Sequence, residues 1–408
     1  MNCRFCKHEV KTEFADLVNS PASNSYLTAQ QLNEPEVFYP LKVMVCENCF
    51  LVQVDEYKKS SDIFNSDYAY FSSYSTSWLA HCKAYTQMMV ERFGYNEKSR
   101  VTEIASNDGY LLQYFKEKNI NVLGIEPTSN TAEVAIKKGI TTVVDFFGVR
   151  LAKQLAAEGK KTDLLLGNNV LAHVPDIMDF VGGMAILLKD NGVITMEFPH
   201  LFQLVLNNQF DTIYHEHFSY LSFTTVSKIF EANNLVMFDV EEVSTHGGSL
   251  RVFAKHKNDS SKEISSNVAN MLKKENEAGM LNIEYYKNFQ VKIEGIKNDL
   301  LEFLLQQKRA GKKVAAYGAA AKGNTLLNYC GIKNDMISFV VDANPNKQNK
   351  FMPASHIPIV TEESIKNEKP DFIIILPWNI KDEIIKQLNY INSWEGKFVV
   401  PIPHLQII

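Results

Sequence analysis

At 408 residues the chain is long enough for two or three domains, each able to bury a core. A formal net charge of −5, from 42 basic and 47 acidic side chains, argues against a nucleic-acid groove as the main function. No apolar run is long enough to span a membrane and no apolar signal region opens the sequence, so a soluble protein of the cytoplasm is expected.

The chain begins with two cysteine pairs, Cys3-x-x-Cys6 and Cys46-x-x-Cys49. Each pair can place two thiolates on one ion, and together they complete the tetrahedral four-cysteine set that structural zinc prefers. A closed site of four thiolates leaves no open position for a catalytic water, so the chemistry is expected elsewhere. Two disulfides or idle thiols are the competing reading. Cys82 and Cys330 stand alone and read as ordinary buried thiols. Residues 1–75 are expected to be loop-rich and held by the ion, because so short a segment buries little apolar surface alone. Its end, over 68–74, is rich in tyrosine.

A helix is predicted over 75–92, stopped at Gly94. Strand–helix alternation then begins, with strands at 101–105, 121–125, 141–144, 163–167 and 192–198 and helices at 110–118, 131–138 and 177–188. Continuous apolar strands between amphipathic helices imply a mostly parallel sheet covered on both faces. After an irregular stretch at 199–223 come a helix at 225–233 and two apolar strands, 235–243 and 250–255, joined around His246-Gly247-Gly248. These close a unit spanning 76–257, and 258–310 reads as a charged, helical bridging segment. A second alternating unit fills 311–408, with strands at 313–317, 337–341, 371–376 and 397–400 and helices at 319–329 and 381–388. The predicted class is α/β: an N-terminal zinc module built on four cysteines, a Rossmann-like domain and a second, C-terminal Rossmann-like domain.

The turn after the first strand of the central unit is Glu103-Ile104-Ala105-Ser106-Asn107-Asp108-Gly109. It falls at the carboxyl edge, where an open α/β sheet binds its ligand. It is not the GxGxxG that cradles a pyrophosphate, which weakens a dinucleotide reading and suits S-adenosylmethionine, a cofactor without phosphate. Glu126 ends the next strand, where a carboxylate can accept hydrogen bonds from ribose hydroxyls. Asp145 and Phe146 end the third, a place suited to an adenine ring. Acidic residues at strand ends also serve as plain turn or helix caps, and it is their order along one unit that favours a cofactor.

Seven features in order resemble one family over essentially the whole chain: the cysteine knuckles, the Tyr68-Ala69-Tyr70-Phe71-Ser72-Ser73-Tyr74 segment, the Glu103 turn, Asn168-Asn169-Val170-Leu171-Ala172-His173-Val174, Tyr214-His215-Glu216-His217-Phe218-Ser219-Tyr220, His246-Gly247-Gly248-Ser249-Leu250-Arg251, and Tyr317-Gly318-Ala319-Ala320-Ala321-Lys322-Gly323-Asn324. They look like the S-adenosylmethionine-dependent sugar C-methyltransferases, which act on nucleotide-linked 4-keto-6-deoxyhexoses and often methylate C3. Ala105 departs from the wider methyltransferase pattern, where glycine is usual, which puts close backbone approach to the cofactor in doubt there.

Carbon–carbon bond formation from a sulfonium methyl needs a carbanion equivalent, hence a base and donors for an enolate oxygen. The resemblance implies His217 as the general base removing the C3 proton, with Tyr214 and Glu216 beside it, the carboxylate fixing a tautomer or holding a sugar hydroxyl. It implies His173 as a partner of the keto oxygen and Tyr68 reaching in from the zinc module. The cofactor would lie on Glu103, Ala105, Asn107, Asp108, Gly109, Glu126, Asp145, Phe146 and Asn168. Two readings compete locally: His215 and His217 as ligands of a catalytic metal, and His246 as part of a plain turn rather than a sugar contact.

In the C-terminal unit, small residues after Tyr317 let the backbone approach a ligand, and a helix N-terminus offers N–H groups to an anion. Lys322 adds a positive charge, and Asp342 closes the next strand like a ribose-binding carboxylate. With Tyr74, His246, Ala319 and Asn324, these are expected to bind a nucleotide-linked (TDP) keto-deoxysugar in the cleft between the two α/β units. The same G-x-x-x-x-G spacing also marks tight helix–sheet packing, and NAD is the rival ligand. An NAD-dependent sugar oxidoreductase and a zinc-module binding protein with inactive α/β domains remain as alternatives. A monomer is expected, with no nucleic-acid or membrane partner.

Overall fold

Alternating burial builds the first sheet. In β1 (Thr12–Ser20) Phe14 and Leu17 turn inward, and in β2 (Tyr39–Val45) Leu41, Val43 and Val45 do. β2 lies between β1 and β3 (Val52–Val54), all antiparallel, so the N-terminal module is a sheet rather than the loop-rich segment expected. The computed structural model describes residues 1–64 and 70–408; Tyr68 lies outside the described residues.

The two cysteine knuckles repeat one turn. Lys7 N–H donates to Cys3 O at 3.1 Å and Phe50 N–H to Cys46 O at 2.9 Å, and Lys7 and Phe50 both adopt positive φ, 61° and 64°. The four sulfurs lie within 4.8 Å of one another, with Cys3–Cys49 and Cys6–Cys46 both at 3.5 Å. That cluster fits one tetrahedral zinc with sulfur ligands about 2.3 Å from the metal. Among the described residues, no other group of three or more His, Cys, Asp or Glu side chains comes close enough to share an ion.

The segment expected as a bridge is instead a core element. The helix Phe289–Arg309 buries Phe289, Ile293, Ile296, Leu300, Phe303 and Leu304, a stripe at helical spacing. Phe289 stacks on Phe14 of β1 with ring centroids 4.6 Å apart, and the same cluster continues into Val314, Leu326 and Leu327 of the C-terminal unit. The zinc module and the C-terminal unit therefore share one core.

The central sheet contains β4 (Arg100–Ile104), β5 (Asn121–Ile125), β6 (Thr142–Val143), β7 (Thr162–Asn168), β8 (Leu188–Pro199), β10 (Leu235–Val243) and β11 (Ser249–His256), in the order β10-β11-β8-β7-β4-β5-β6. β4 to β8 are parallel, and β11 runs antiparallel to β8 and β10. The chain leaves β4 toward β5 on one side and returns beside it as β7, so a crevice opens at their carboxyl ends. The helix Thr76–Phe93 is capped by the Ser75 hydroxyl, which accepts from Trp78 N–H at 3.3 Å, and stops at Gly94, φ 69°. A helix at Val149–Ala157 was not anticipated, although Leu151, Ala152 and Leu155 mark its buried face.

Within the stretch expected to be irregular, β9 (Ser219–Tyr220) pairs with β3 of the N-terminal module and not with the central sheet. The last sheet, of β12 (Val314–Tyr317), β13 (Val340–Val341), β14 (Ile359–Val360), β15 (Phe372–Ile375), β16 (Lys397–Val400) and β17 (Gln406–Ile407), has the order β14-β13-β12-β15-β16-β17 and is parallel except for β17. The helix after β12 spans Ala321–Cys330, starting later than predicted because Gly318 takes φ 92° and Ala320 is extended. A Cβ on Gly318 would meet Pro377 at 2.4 Å, so both the turn and the close packing require glycine. No helix among the described residues is long and apolar enough to cross a membrane.

Two outcomes are expected from this architecture. Cys46→Ala should bring zinc content, read by elemental analysis of the purified chain, down to background; retained stoichiometric zinc would show that the cluster does not hold the ion. Phe289→Ala should cost about 3–5 kcal/mol in denaturant unfolding, because it empties the joint between two units. A loss below about 1 kcal/mol would mean that the two units do not depend on a common core.

Candidate active site

A cavity of about 750 Å³ lies where the three parts meet, lined by residues of the N-terminal module, the carboxyl edge of the central sheet and the start of the helix Ala321–Cys330.

Its central-sheet wall holds Ala105, Asn107, Glu126, Asp145, Phe146 and Asn168. Ala105 has φ 56°, which is the physical reason glycine suits this position: an L side chain there is strained, and the turn keeps its shape regardless. Glu126 accepts from the backbone N–H of Asn107 at 2.8 Å and of Thr128 at 2.9 Å. Burial raises its pKa, and these donors oppose the rise. Asp145 accepts from Arg150 at 2.5 Å. Asn168 Nδ2, Asn169 Oδ1 and His173 Nδ1 are buried at the cavity with no hydrogen-bond partner among the described residues. Such atoms are costly unless a ligand engages them, so this wall fits a polar cofactor.

Three residues expected on the cofactor stand behind the wall. Glu103 is fully buried, and burial holds its pKa well above the carboxylate range. Asp108 accepts from Ser73 N–H at 3.3 Å and lies 3.7 Å from Lys138 Nζ. Gly109 packs so closely that a Cβ would meet Ile140 Cδ1 at 2.3 Å. Asn107 lines the cavity and also braces its roof. Its side chain accepts from Ser72 N–H at 2.9 Å and donates to Tyr70 O at 3.1 Å, which holds the segment entering the helix Thr76–Phe93 over the turn.

Tyr214, Glu216, His217 and His173 all line the cavity. The His217 ring lies 4.1 Å from Tyr214 and 4.6 Å from His173. Its Nδ1 is 2.8 Å from the Thr212 carbonyl, an acceptor only, so Nδ1 carries the proton and Nε2 keeps its lone pair. The tautomer is thus fixed by Thr212 and not by Glu216, whose carboxylate instead accepts from Asn24 Nδ2 at 2.6 Å. Burial, then the neighbouring His173, lowers the His217 pKa well below the usual imidazole range, and burial lowers His173 to about 4. Burial pushes Glu216 up to about 7. His215 faces away: its Nε2 lies 3.0 Å from Pro40 O and its ring lies against Tyr39 and Tyr57. The two histidines therefore do not converge on a shared metal.

Of the residues expected on the substrate, His246 and Lys322 reach the cavity. His246 sits at φ 54° with its ring 5.3 Å from Trp78, and burial lowers it to about 4. Lys322 donates to Asn379 Oδ1 at 2.6 Å and lies 4.6 Å over the Trp378 ring; burial lowers its pKa. Trp378 in turn donates to Asp211 at 2.8 Å, a buried carboxyl raised to about 6.

The others do not line it. Tyr74 is 62 % exposed. Tyr317 points to the opposite face of its strand, where its hydroxyl accepts from Gln387 at 3.1 Å. Asn324 is fully buried in the helix, and Asp342 accepts from Asn344 N–H at 2.8 Å in its own turn. Ala319 contributes its carbonyl, which accepts from Tyr26 at 2.6 Å and Lys347 at 2.8 Å. A Cβ on Gly323 would meet Leu376 at 2.8 Å, so that glycine serves helix–sheet packing. Sequence reasoning missed Asn24, Trp78 and Lys347, all on the cavity wall. Lys347 had a weak signal, five residues beyond Asp342; Asn24 had none.

Comparison with known proteins matches each part. The family description C-methyltransferase C-terminal domain fits residues 244–403, a methyltransferase domain 80–240 and a zinc binding domain 3–64. Over 406 residues the chain is 33% identical to C-methyltransferase NovU of Streptomyces niveus, covering 100% of this chain and 96% of that protein. It is 26% identical over 99 residues to a ubiquinone biosynthesis O-methyltransferase of Bartonella quintana, covering 24% of this chain and 40% of the other. Among solved structures, an S-adenosylmethionine-dependent methyltransferase from Anabaena variabilis aligns with TM-score 0.37 and 14% identity over 44% of this chain and 86% of its own. With 33% identity to NovU along the whole chain and a matching description for each of its three parts, the chain belongs to the C-methyltransferase family and is an S-adenosylmethionine-dependent enzyme with a structural zinc site.

Proposed function

We propose that the enzyme methylates C3 of a nucleotide-linked 4-keto-6-deoxyhexose, with TDP as the nucleotide. The observation that carries this reading is His217: a neutral imidazole on the cavity wall whose Nδ1–H is committed to Thr212, leaving Nε2 to accept a proton. A carbon acid flanked by a ketone is the kind of substrate that needs such a group.

The bound cofactor would supply an electrophilic sulfonium methyl; Glu126, Ala105 and Asn168 are the residues that would hold it. His217 Nε2 takes the C3 proton, and the C–H electron pair moves into a C3–C4 double bond with negative charge on the former keto oxygen. His173 and Tyr214, packed against His217, are the groups that would donate to that oxygen. The low pKa of His173 keeps it neutral at pH 7, so it would act as a hydrogen-bond donor and not as a cation. Lys322, Lys347 and the N-terminus of the helix Ala321–Cys330 offer positive potential where the C-terminal unit lines the cavity, and a diphosphate would bind there. An anion there would also oppose the depression of the His217 pKa, to which Lys322 contributes.

Mass spectrometry of TDP-4-keto-6-deoxyglucose, incubated in D₂O with and without S-adenosylmethionine, tests this reading. Gain of one methyl with the cofactor, and deuterium uptake without it, are expected; neither change would refute this substrate. His217→Ala should retain zinc and cofactor binding while turnover falls by about 10²–10⁴-fold. Turnover within a few fold of the unaltered enzyme would remove His217 as the base.

A further inference from the structure

Among the N-terminal-module residues that line the cavity, Asn24 is hydrogen-bonded to the Glu216 side chain. Asn24 lies in the 21–38 loop, half-buried on the cavity wall. Its Nδ2 donates to Glu216 Oε1 at 2.6 Å, across 192 residues of sequence. Its Oδ1 lies 3.3 Å from the Tyr26 hydroxyl, whose one proton points to the nearer acceptor, the Ala319 carbonyl, at 2.6 Å. Lys347 Nζ reaches the same carbonyl at 2.8 Å and lies 5.3 Å over the Tyr26 ring. The amide of Asn24 therefore lies on one side against a Tyr26 fixed to the C-terminal unit and is presented on the other to the catalytic segment.

We infer that Asn24 is a positioning residue for methyl transfer, holding the Glu216 carboxylate ionised and in one orientation at the substrate cavity. The inference rests on the reading above that the segment carrying Glu216 and His217 serves the substrate. A donor placed on a buried carboxylate favours its charged form, and the oxygen it occupies can no longer turn elsewhere. Burial opposes ionisation of Glu216; the Asn24 hydrogen bond is the larger counterweight and the charge of Lys58, from the loop after β3, the smaller. The other groups facing this carboxyl are the neutral hydroxyls of Tyr214 and Tyr26, with His173 and Lys347 on the same cavity wall. Neither tyrosine carries charge near pH 7, because burial raises both. Asn24 is thus the group whose removal shifts Glu216 without altering any other charge.

The Glu216 carboxyl can be followed directly by ¹³C NMR titration of the full-length, zinc-loaded protein labelled at glutamate, with the resonance assigned by its loss in Glu216→Gln. In Asn24→Ala the midpoint should rise by about one pH unit. In the isosteric Asn24→Asp it should rise further, because a second carboxylate replaces the donor. An unmoved midpoint in both variants overturns the inference.

The second readout is the pH profile of methyl transfer to TDP-4-keto-6-deoxyglucose. Its acid limb should move up with the NMR midpoint, so that Asn24→Ala loses about fivefold at pH 7 and recovers at higher pH. A merely structural loss would lower the rate at every pH alike, and that outcome also overturns the assignment. A shifted midpoint with an unshifted rate profile would show that the reaction does not use Glu216 ionisation, and Asn24 would then position nothing for catalysis. Absence of methyl transfer by the unaltered enzyme is a failure of the substrate reading, and the NMR titration then decides the role of Asn24 toward Glu216 by itself.

Discussion

Three hydrogen bonds to its backbone tie the segment from Ile213 to Tyr220 to the three parts of the chain. On one side the Thr325 hydroxyl, on the helix of the C-terminal unit, donates to Ile213 O at 2.9 Å. On the other, Val54 N–H of β3 donates to Phe218 O at 3.0 Å, and Phe218 N–H donates to Ala172 O at 2.8 Å. The segment belongs to the central unit by sequence, yet its positions are set by all three parts. A side chain that must meet a ligand atom in one geometry has to be held to a fraction of an ångström, and a free loop on one domain does not provide that. His217 gains its fixed place because the module and the C-terminal unit, joined through the Phe14–Phe289 stack, close around it.

The same enclosure sets the electrostatics. Burial lowers His173, His217, His246 and Lys322, and raises Glu216 and Asp211. Each shift favours the neutral form, so the cavity disfavours isolated charge and strengthens any charge pair formed inside it. An enolate oxygen developing there would meet donors in place of water. A poorly basic imidazole is the opposing cost. Lys322 adds to that cost, and negative charge brought beside it would offset the depression of the His217 pKa.

Much of this was legible in the sequence because the motifs sit at element ends. The two CxxC knuckles, the turn after β4 and the Tyr214 to Tyr220 stretch each place reactive side chains by local spacing, and four of the expected catalytic residues do meet on one wall. Failures came where a motif residue alternates away from the site, as Tyr317 does on its strand, or packs inside an element, as Asn324 and Gly323 do. Asn24 was invisible because its partner is fixed by a tertiary contact between a loop and a distant strand end. The helix Phe289–Arg309 was seen as a helix, but its role as shared core depends on Phe14, in a module that was expected to be loop-rich.

The zinc knuckle is part of the same arrangement, although no ligand position is open for chemistry. Arg4, held between Cys3 and Cys6, donates to Pro175 O at 2.9 Å and lies 5.0 Å over the Phe218 ring. Pro175 follows the His173 turn, and Phe218 follows His217. The first knuckle therefore touches both histidines' supports through one guanidinium, whose backbone N–H is fixed by Gln53 at 2.9 Å. A metal ion on the four sulfurs would pin that turn, which carries Arg4 to Pro175 at the edge of the cavity. The four-cysteine cluster is thus tied by geometry to the cavity wall: the turn it holds carries the cation that packs against Phe218, next to His217.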